Sequence, residues 1–290
     1  MPSANRRIHR ARGCPISVTG GQEPELGAVQ RTLFIPLAAR ARETRRRRPV
    51  LRDPKAAQIL ASVDFDTQKY GRGWGGRVTV LRTVIFDGWV SDFLAAHPGA
   101  TVVELGTGLN TRFERVGTDQ AHWIDLDLPD TIELRRSFFA DSDPNGRRRM
   151  VAASMLDQDW IPAVQESPGP YFFVADGVLA YLDQAPQVIA RIAGTFPGAL
   201  IAFDTYRQRT LEQQHKLAAR KNMDALWAWS CDDPRTLEPL GLEVVQQAAV
   251  TRPPPGLRSR LPRRYRYALP LSRRIAGDLA TVTLFRASRR

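Results

Sequence analysis

The sequence predicts an α/β fold, a parallel sheet covered by helices on both faces. Three observations carry that expectation. Short, largely apolar runs at 101–105, 122–126, 171–175 and 199–203 recur through the middle of the chain. Segments with apolar residues at helical spacing fall between them, and Gly, Pro and Asp turn signals separate the two kinds. Runs that are apolar on successive residues belong to strands buried on both faces, as crossover helices require. The 290 residues are 43% apolar and 25% charged, an ordinary globular composition. That length suits two average domains or one large α/β domain.

Each element follows from local signals. Residues 1–30 mix Arg, Gly, Pro and Ser with little periodicity and are expected to form a basic, poorly ordered tail. Thr32–Glu43 reads as a helix beginning near Pro36. Asp53 can cap a helix and Pro54 fits its first turn, so Lys55–Val63 reads as the next one. Gly71–Gly76 (GRGWGG) reads as a flexible break; no strand leads into it, so its glycines are no nucleotide loop. Across 80–94, Leu81, Val84, Ile85, Val90, Phe93 and Leu94 recur at helical spacing, and Pro98-Gly99 ends that helix. Residues 31–98 are thus expected to form an N-terminal helical cap, and 99–290 the core with its covering insertions.

In the core, Thr101–Leu105 is the first strand and His122–Leu126 the second. Asp130–Phe139 is a helix, Asp143–Gly146 a turn and Met150–Ala153 the third strand. Tyr171–Ala175 is the fourth strand, Ala185–Thr195 a helix, and Ala199–Phe203 the fifth strand, followed by a helix that holds His215. Glu243–Val250 and Thr281–Phe285 alternate as strands do, with Pro253-Pro254-Pro255 in a loop between them. The sequence shows no internal repeat.

The formal charge is +12, and its distribution decides more than its total. Residues 1–52 carry +9 and 251–290 carry +10, which leaves 53–250 at −7. A basic excess suits nucleic acid or an acidic small molecule, but here it sits in the end segments. Arg45-Arg46-Arg47-Arg48 reads as a solvated stretch, with a polyanion patch or an electrostatic funnel as sharper readings. No apolar run approaches the ~18 residues of a spanning helix. No apolar stretch follows the arginines of 1–20, which speaks against a secretory signal. Cys14 and Cys231 are too few for a disulfide framework or a zinc site. The expectation is a reduced, cytoplasmic protein with no membrane attachment and no metal.

In open α/β sheets, ligands bind beyond the carboxyl ends of the strands. The first strand ends in Gly106-Thr107-Gly108, where glycine lets the backbone approach a ligand, although a tight turn alone explains the same residues. Residue 111 is Thr where a dinucleotide fingerprint has Gly, and no helix N-terminus is evident after the turn. The second strand ends in Asp125-Leu126-Asp127; a carboxylate there can accept both ribose hydroxyls, or merely close a surface turn. The fourth ends at Asp176-Gly177 and the fifth at Asp204-Thr205-Tyr206-Arg207. An adenosine-bearing ligand could touch several of these ends at once. No P-loop sequence is present and no basic residue stands beside Gly106 to take a pyrophosphate. That favours S-adenosylmethionine, which carries ribose, adenine and an amino-acid end but no phosphate.

Three segments in order, Glu104–Arg112 (ELGTGLNTR), Trp123–Pro129 (WIDLDLP) and Ala175–Leu182 (ADGVLAYL), closely resemble the leucine carboxyl methyltransferase family. The match is to its bacterial branch, which includes polyketide O-methyltransferases. Thr32–Thr44 and Leu51–Pro54 fit that branch too, and the resemblance spans roughly residues 30–205. It implies a class I S-adenosylmethionine-dependent methyltransferase, a Rossmann-like doubly wound sheet with an N-terminal helical cap and additional C-terminal segments. It also implies site roles. Arg82 matches the arginine that pairs with the cofactor carboxylate, where a guanidinium suits the partner bidentately. Gly106 matches the glycine beneath the cofactor, with Gly108 in the same turn. Asp127 matches the acid of the ribose region, with Asp125 as its rival. Met155 and Leu156 match the pair flanking adenine, and Asp176 an acid near the cofactor ammonium. Two departures touch positioning. The family usually has Glu where this chain has Asp176, and commonly Asp where it has Asn110.

A carboxylate acceptor is ionised at neutral pH and needs no general base, whereas a phenol or alcohol benefits from one. Of His9, His97, His122 and His215, only His215 could approach the site, and an exposed helix histidine explains it as well. The reading is therefore methyl-ester formation on a small acidic or aromatic metabolite, polyketide-like or another secondary metabolite, with a hydroxyl acceptor as the alternative. Tyr181, Tyr206, Arg207 and Arg209 are candidates to position that acceptor, and Trp227–Cys231 either lines its pocket or is core. A nucleic-acid partner is not expected. The Asn/Asp-Pro-Pro-aromatic motif of amino-group methylases is absent after the fourth strand. Only Tyr265 and Tyr267 stand among arginines as base stacking requires.

Overall fold

The computed structural model describes residues 32–63, 73–140, 145–221, 226–253, 258–259, 261–276 and 280–289. The expected tail at 1–30, and Gly71 and Arg72, lie outside them, as do the first two residues of the turn expected at 143–146 and most of Pro253–Pro255.

Helices α1 (Phe34–Thr44), α2 (Pro54–Ala61) and α3 (Gly73–Ala96) precede β1 (Thr101–Leu105). Then come α4 (Arg112–Val116), β2 (His122–Asp127), α5 (Pro129–Arg136), β3 (Arg148–Ala152), α6 (Trp160–Gln165) and β4 (Tyr171–Ala175). Helix α7 (Ala185–Thr195), β5 (Leu200–Thr205) and α8 (Gln208–Lys221) follow, and the chain closes with β6 (Leu242–Ala249), α9 (Arg263–Ala276) and β7 (Thr281–Ala287). Asp53 caps α2 as its sequence suggests, its Oδ1 accepting from Ala56 N–H at 2.9 Å.

One seven-stranded sheet runs in the order β3-β2-β1-β4-β5-β7-β6. Its first five strands are parallel, as expected for strands joined through helices. The sheet is mixed, however, because β7 pairs antiparallel with β5 and β6 antiparallel with β7. Every residue of β1 is buried. The two-residue period of a strand then sorts the side chains. Val103, Leu105, Phe173, Ile201 and Phe203 face a layer containing Trp160, Ile189 and Phe196. Val102, Phe172, Val174 and Ala202 face α3 through Phe86, Trp89, Val90 and Phe93. The cap joins the core through Phe34, Leu37 and Ile59, which pack with Leu109, Ile132 and Met150.

The expected break at 71–76 is corrected at its described end, because residues 73–76 are the first turn of α3. A glycine costs a helix only about 1 kcal/mol, and α3 recovers that through burial on two sides. It contacts the sheet through Phe86 to Leu94 and the cap through Val80. Among the described residues no helix is long and apolar enough to cross a membrane.

Trp160 anchors the first layer. Its ring is fully buried, stacks on Phe196 at 6.3 Å, and donates Nε1–H to the Asp157 carbonyl at 3.1 Å. Trp160→Ala is expected to cost about 3–5 kcal/mol in urea unfolding, with an unchanged m-value.

Candidate active site

The carboxyl ends of β1, β2, β4 and β5 open into one cleft of about 910 Å³. It lies where the strand order reverses, beside β1 between β2 and β4. Of the twelve residues singled out from the sequence, Arg82, Gly106, Gly108, Asp127, Met155, Leu156, Asp176, Tyr181 and Tyr206 line this cleft. Asp125, Arg207 and Arg209 do not.

The turn after β1 is built on two left-handed glycines, Gly106 at φ 62 and Gly108 at φ 46. A Cβ on Gly106 would stand 2.5 Å from Val178 Cγ2, and one on Gly108 would stand 2.7 Å from Leu33 Cδ2. Both positions therefore require glycine for conformation and for space. The turn is tied to β2, since Gly108 N–H donates to Asp127 Oδ2 at 2.7 Å and Leu128 N–H to Oδ1 at 2.8 Å. Burial lifts the Asp127 carboxyl above its usual range against these two donors. Helix α4 starts at Arg112, directly after the turn, so a helix N-terminus does follow the glycines.

Asp125 belongs to the scaffold. It lies one pleat deeper in β2 than Asp127, on the same face and fully buried, where Oδ1 accepts from Thr107 at 2.8 Å and Arg135 at 3.0 Å, and Oδ2 from Arg148 at 3.2 Å. Its expected rivalry with Asp127 for the ribose region is withdrawn on that ground.

Behind the cleft runs a continuous chain of buried ion pairs. Arg40 meets Asp53 at 2.9 Å, and Asp53 meets Arg115 at 3.0 Å. Arg115 meets Asp87 at 2.7 Å, and Asp87 meets Arg112 at 2.8 Å. Arg112 then joins Glu104 at 2.6 Å and Asp176 at 2.8 Å. Asp176 lies 2.6 Å from Arg82, which also holds Asp204 at 3.0 Å and donates to the Tyr206 hydroxyl at 2.6 Å. Burial alone would lift the Asp176 carboxyl, but the Arg82 and Arg112 guanidiniums hold it below the ordinary range. Arg82 Nε and Asp176 Oδ1 are close yet misaligned, so both remain buried without a completed hydrogen bond. Gly177, at φ 79, lets Arg82 lie against its backbone; a Cβ there would stand 2.5 Å from Nη2.

The far end of the cleft is aromatic. Trp227 lies 4.1 Å from the Tyr206 ring and 6.5 Å, edge on, from Tyr181. Helix α8 grips the Trp227 backbone: Gln214 Oε1 accepts its N–H at 3.3 Å, and His215 Nε2–H donates to its carbonyl at 2.7 Å. His215 is thus spent on positioning, and none of the described histidines lines the cleft. Trp227 belongs to the pocket, whereas Trp229 packs on Phe203 and Cys231 lies in the core. Arg207 is half-buried and Arg209 exposed, both past the end of β5 and outside the lining.

Sequence reasoning missed three contributors. Ile35 and Pro36 of α1 form one wall, Gly75 and Thr79 of the first turns of α3 another, and Thr210, Gln213 and Leu217 of α8 a third. The amphipathic spacing of α8 was the only signal for the last group, and it does not tell a core face from a cleft face. The partners Asp87, Glu104 and Arg115 carried no signal, because pairing across elements has no sequence spacing.

Comparison with known proteins places these features in context. The family model of leucine carboxyl methyltransferase matches residues 34–192. The chain is 33% identical over 222 residues to the tetracenomycin polyketide synthesis O-methyltransferase of Streptomyces glaucescens, covering 75% of this chain and 81% of that one. It is 26% identical to an S-adenosyl-L-methionine-dependent methyltransferase of Gibberella zeae, over 77% of this chain and 79% of that one. Among solved structures, a candidate methyltransferase from Thermobifida fusca superposes with a TM-score of 0.55. The two are 19% identical, with 89% and 94% of the chains covered, which supports the class I methyltransferase fold.

Burial pushes the Glu104 carboxyl up from 4.5 to about 7, with Arg112 pulling the other way. A folded-state value above the unfolded one means the fold favours the neutral carboxyl. Its stabilisation is full below the ordinary carboxylate range and is lost as pH rises through about 7. Between about pH 5 and pH 8, the wild type is therefore expected to lose up to about 3 kcal/mol relative to Glu104→Gln. Paired Tm curves against pH check this; a flat difference would mean that Arg112 keeps Glu104 ionised throughout.

Proposed function

The chain belongs to the leucine carboxyl methyltransferase family, whose members transfer a methyl group from S-adenosylmethionine, and on that premise we propose that it forms a methyl ester on a carboxylate of a small acidic or aromatic metabolite. The observation that carries this reading is the two-ended cleft. Its charged, glycine-cradled end opens directly into an aromatic chamber that none of the described histidines lines.

The residues at the first end fit the cofactor. Gly106 and Gly108 hold a left-handed turn that lets Val178 and Leu33 pack close against it at the cleft wall, and Asp127 presents a carboxylate beside them. Arg82 and Asp176, buried and misaligned with each other, suit an α-carboxylate and an ammonium respectively. Met155 and Leu156 supply apolar walls for a flat base. When bound, S-adenosylmethionine supplies an electrophilic methyl group on a sulfonium.

The protein's task is then alignment and exclusion of water. Trp227 and Tyr181 present flat faces against which an aromatic acceptor can be held. Burial keeps the Tyr206 hydroxyl protonated far above its usual range, which removes it as a general base. A carboxylate acceptor arrives ionised and needs none. Polyketide chemistry is the substrate class of the Streptomyces glaucescens relative, and it suits this chamber.

Two measurements test the reading. In calorimetry, S-adenosylhomocysteine should bind the wild type in the micromolar range, and Asp127→Asn should weaken it at least tenfold. Gly106→Ala should abolish binding, because the methyl group would sit inside Val178. With labelled S-adenosylmethionine and a panel of aromatic carboxylic acids and phenols, the label should leave the product as methanol in mild alkali. Alkali-stable label would identify a hydroxyl acceptor and an ether product instead.

A further inference from the structure

Most buried arginines in this chain meet a carboxylate, as Arg40, Arg82, Arg112, Arg115 and Arg148 do. A second cavity gathers arginines of another kind, on the surface. It is open, about 470 Å³, and lies between the segment after α1 and the start of α9. Its lining is Arg48, Pro49, Leu261, Pro262, Arg263 and Arg266. The three guanidiniums belong to exposed residues, and no acidic residue among the described ones lines the cavity. Arg266 Nε donates to the Leu261 carbonyl at 2.8 Å, which leaves its other donors unspent.

The arginines stand on a stiff base. Tyr265, buried on the inner side of α9, donates its hydroxyl to Glu43 Oε2 at 3.0 Å. Glu43 Oε1 accepts from Val50 N–H at 2.9 Å, and Arg46 lies 2.8 Å from Oε2. Leu261, Tyr265 and Leu269 also pack with Leu81 and Tyr206. Two basic segments, distant in sequence, are thus locked side by side. The first turn of α9 holds no acidic residue, so its arginines oppose the helix dipole. Convergent unpaired guanidiniums in that position lower stability, and an anion relieves them.

We propose that this cavity binds the phosphate group of a small phosphorylated ligand. Arginine forks match phosphate oxygens bidentately, and three of them around a walled space suit a multiply charged anion. The volume is that of an ordinary small-molecule pocket. Among the described residues, no aromatic side chain on which a nucleic-acid base could stack lines the cavity, so a polynucleotide is the less favoured occupant. The site is separate from the cleft, and its test does not depend on the methyl acceptor.

Pyrophosphate, at constant ionic strength with chloride as the control, is expected to raise the wild-type Tm and to give saturable calorimetric binding. Arg48→Ser combined with Arg263→Ser should weaken that binding at least tenfold. Far-UV circular dichroism and S-adenosylhomocysteine binding should match the wild type in the same double variant. Equal pyrophosphate affinity in both proteins, or no saturable binding by the wild type, overturns the proposal. So does a short DNA duplex that binds more tightly than pyrophosphate, loses affinity steeply with salt and is released by the double substitution.

Discussion

The cleft depends on one electrostatic constraint, the chain of buried arginine–carboxylate pairs that runs beneath it. Strand alternation sends Glu104, Asp125 and Asp204 to the face of the sheet that α3 covers. Buried carboxylates are tolerated only when paired, so the elements above them must supply cations. Arg82 comes from α3, Arg112 and Arg115 from α4, and Arg40 from α1. Each guanidinium bridges at least two elements, so the sheet, α3, α4 and the cap are fixed in one arrangement. Deleting one partner of such a pair strands a buried charge at a cost of about 3–5 kcal/mol. The floor of the cleft is therefore rigid for the same reason that it is charged.

This constraint also sets the character of the two ends. Asp176 lies where the ion chain surfaces, between Arg112 and Arg82, and is held ionised by both. Beyond Arg82 the polarity ends at Tyr206, whose ring already belongs to the aromatic chamber. One arginine thus marks the border between the polar end and the apolar end. That division matches a sulfonium cofactor with a charged amino-acid tail and an acceptor with a flat body.

Much of this was legible in the sequence, for identifiable reasons. β1 and β4 were readable to the residue because each is a short, largely apolar run that leads into a glycine turn. The cap at Asp53-Pro54 was readable because capping is local chemistry. The cleft glycines and Asp127 were readable because they lie at strand ends. Asp125 misled because it shares its residue type and its face of β2 with Asp127, and only its depth below the strand end, among Thr107, Arg135 and Arg148, distinguishes them. Arg207 and Arg209 misled because closeness in sequence to a strand end does not place a side chain in the cleft. Helix α9 was not anticipated, because Pro270 and its many arginines mask the helical spacing of Tyr265 and Leu269, which are buried in the core.

The position of β7 has a further consequence for how the chain reaches this state. Although β6 precedes it, β7 is inserted between β5 and β6. During synthesis, β5 therefore waits with one edge unpaired, and β6 has no neighbour to join, until residues 281–287 emerge. An exposed strand edge is a template for pairing with other chains. β7 thus links two parts of the sheet that cannot pair without it, and the interval between the synthesis of β5 and of residues 281–287 is when that edge stands open.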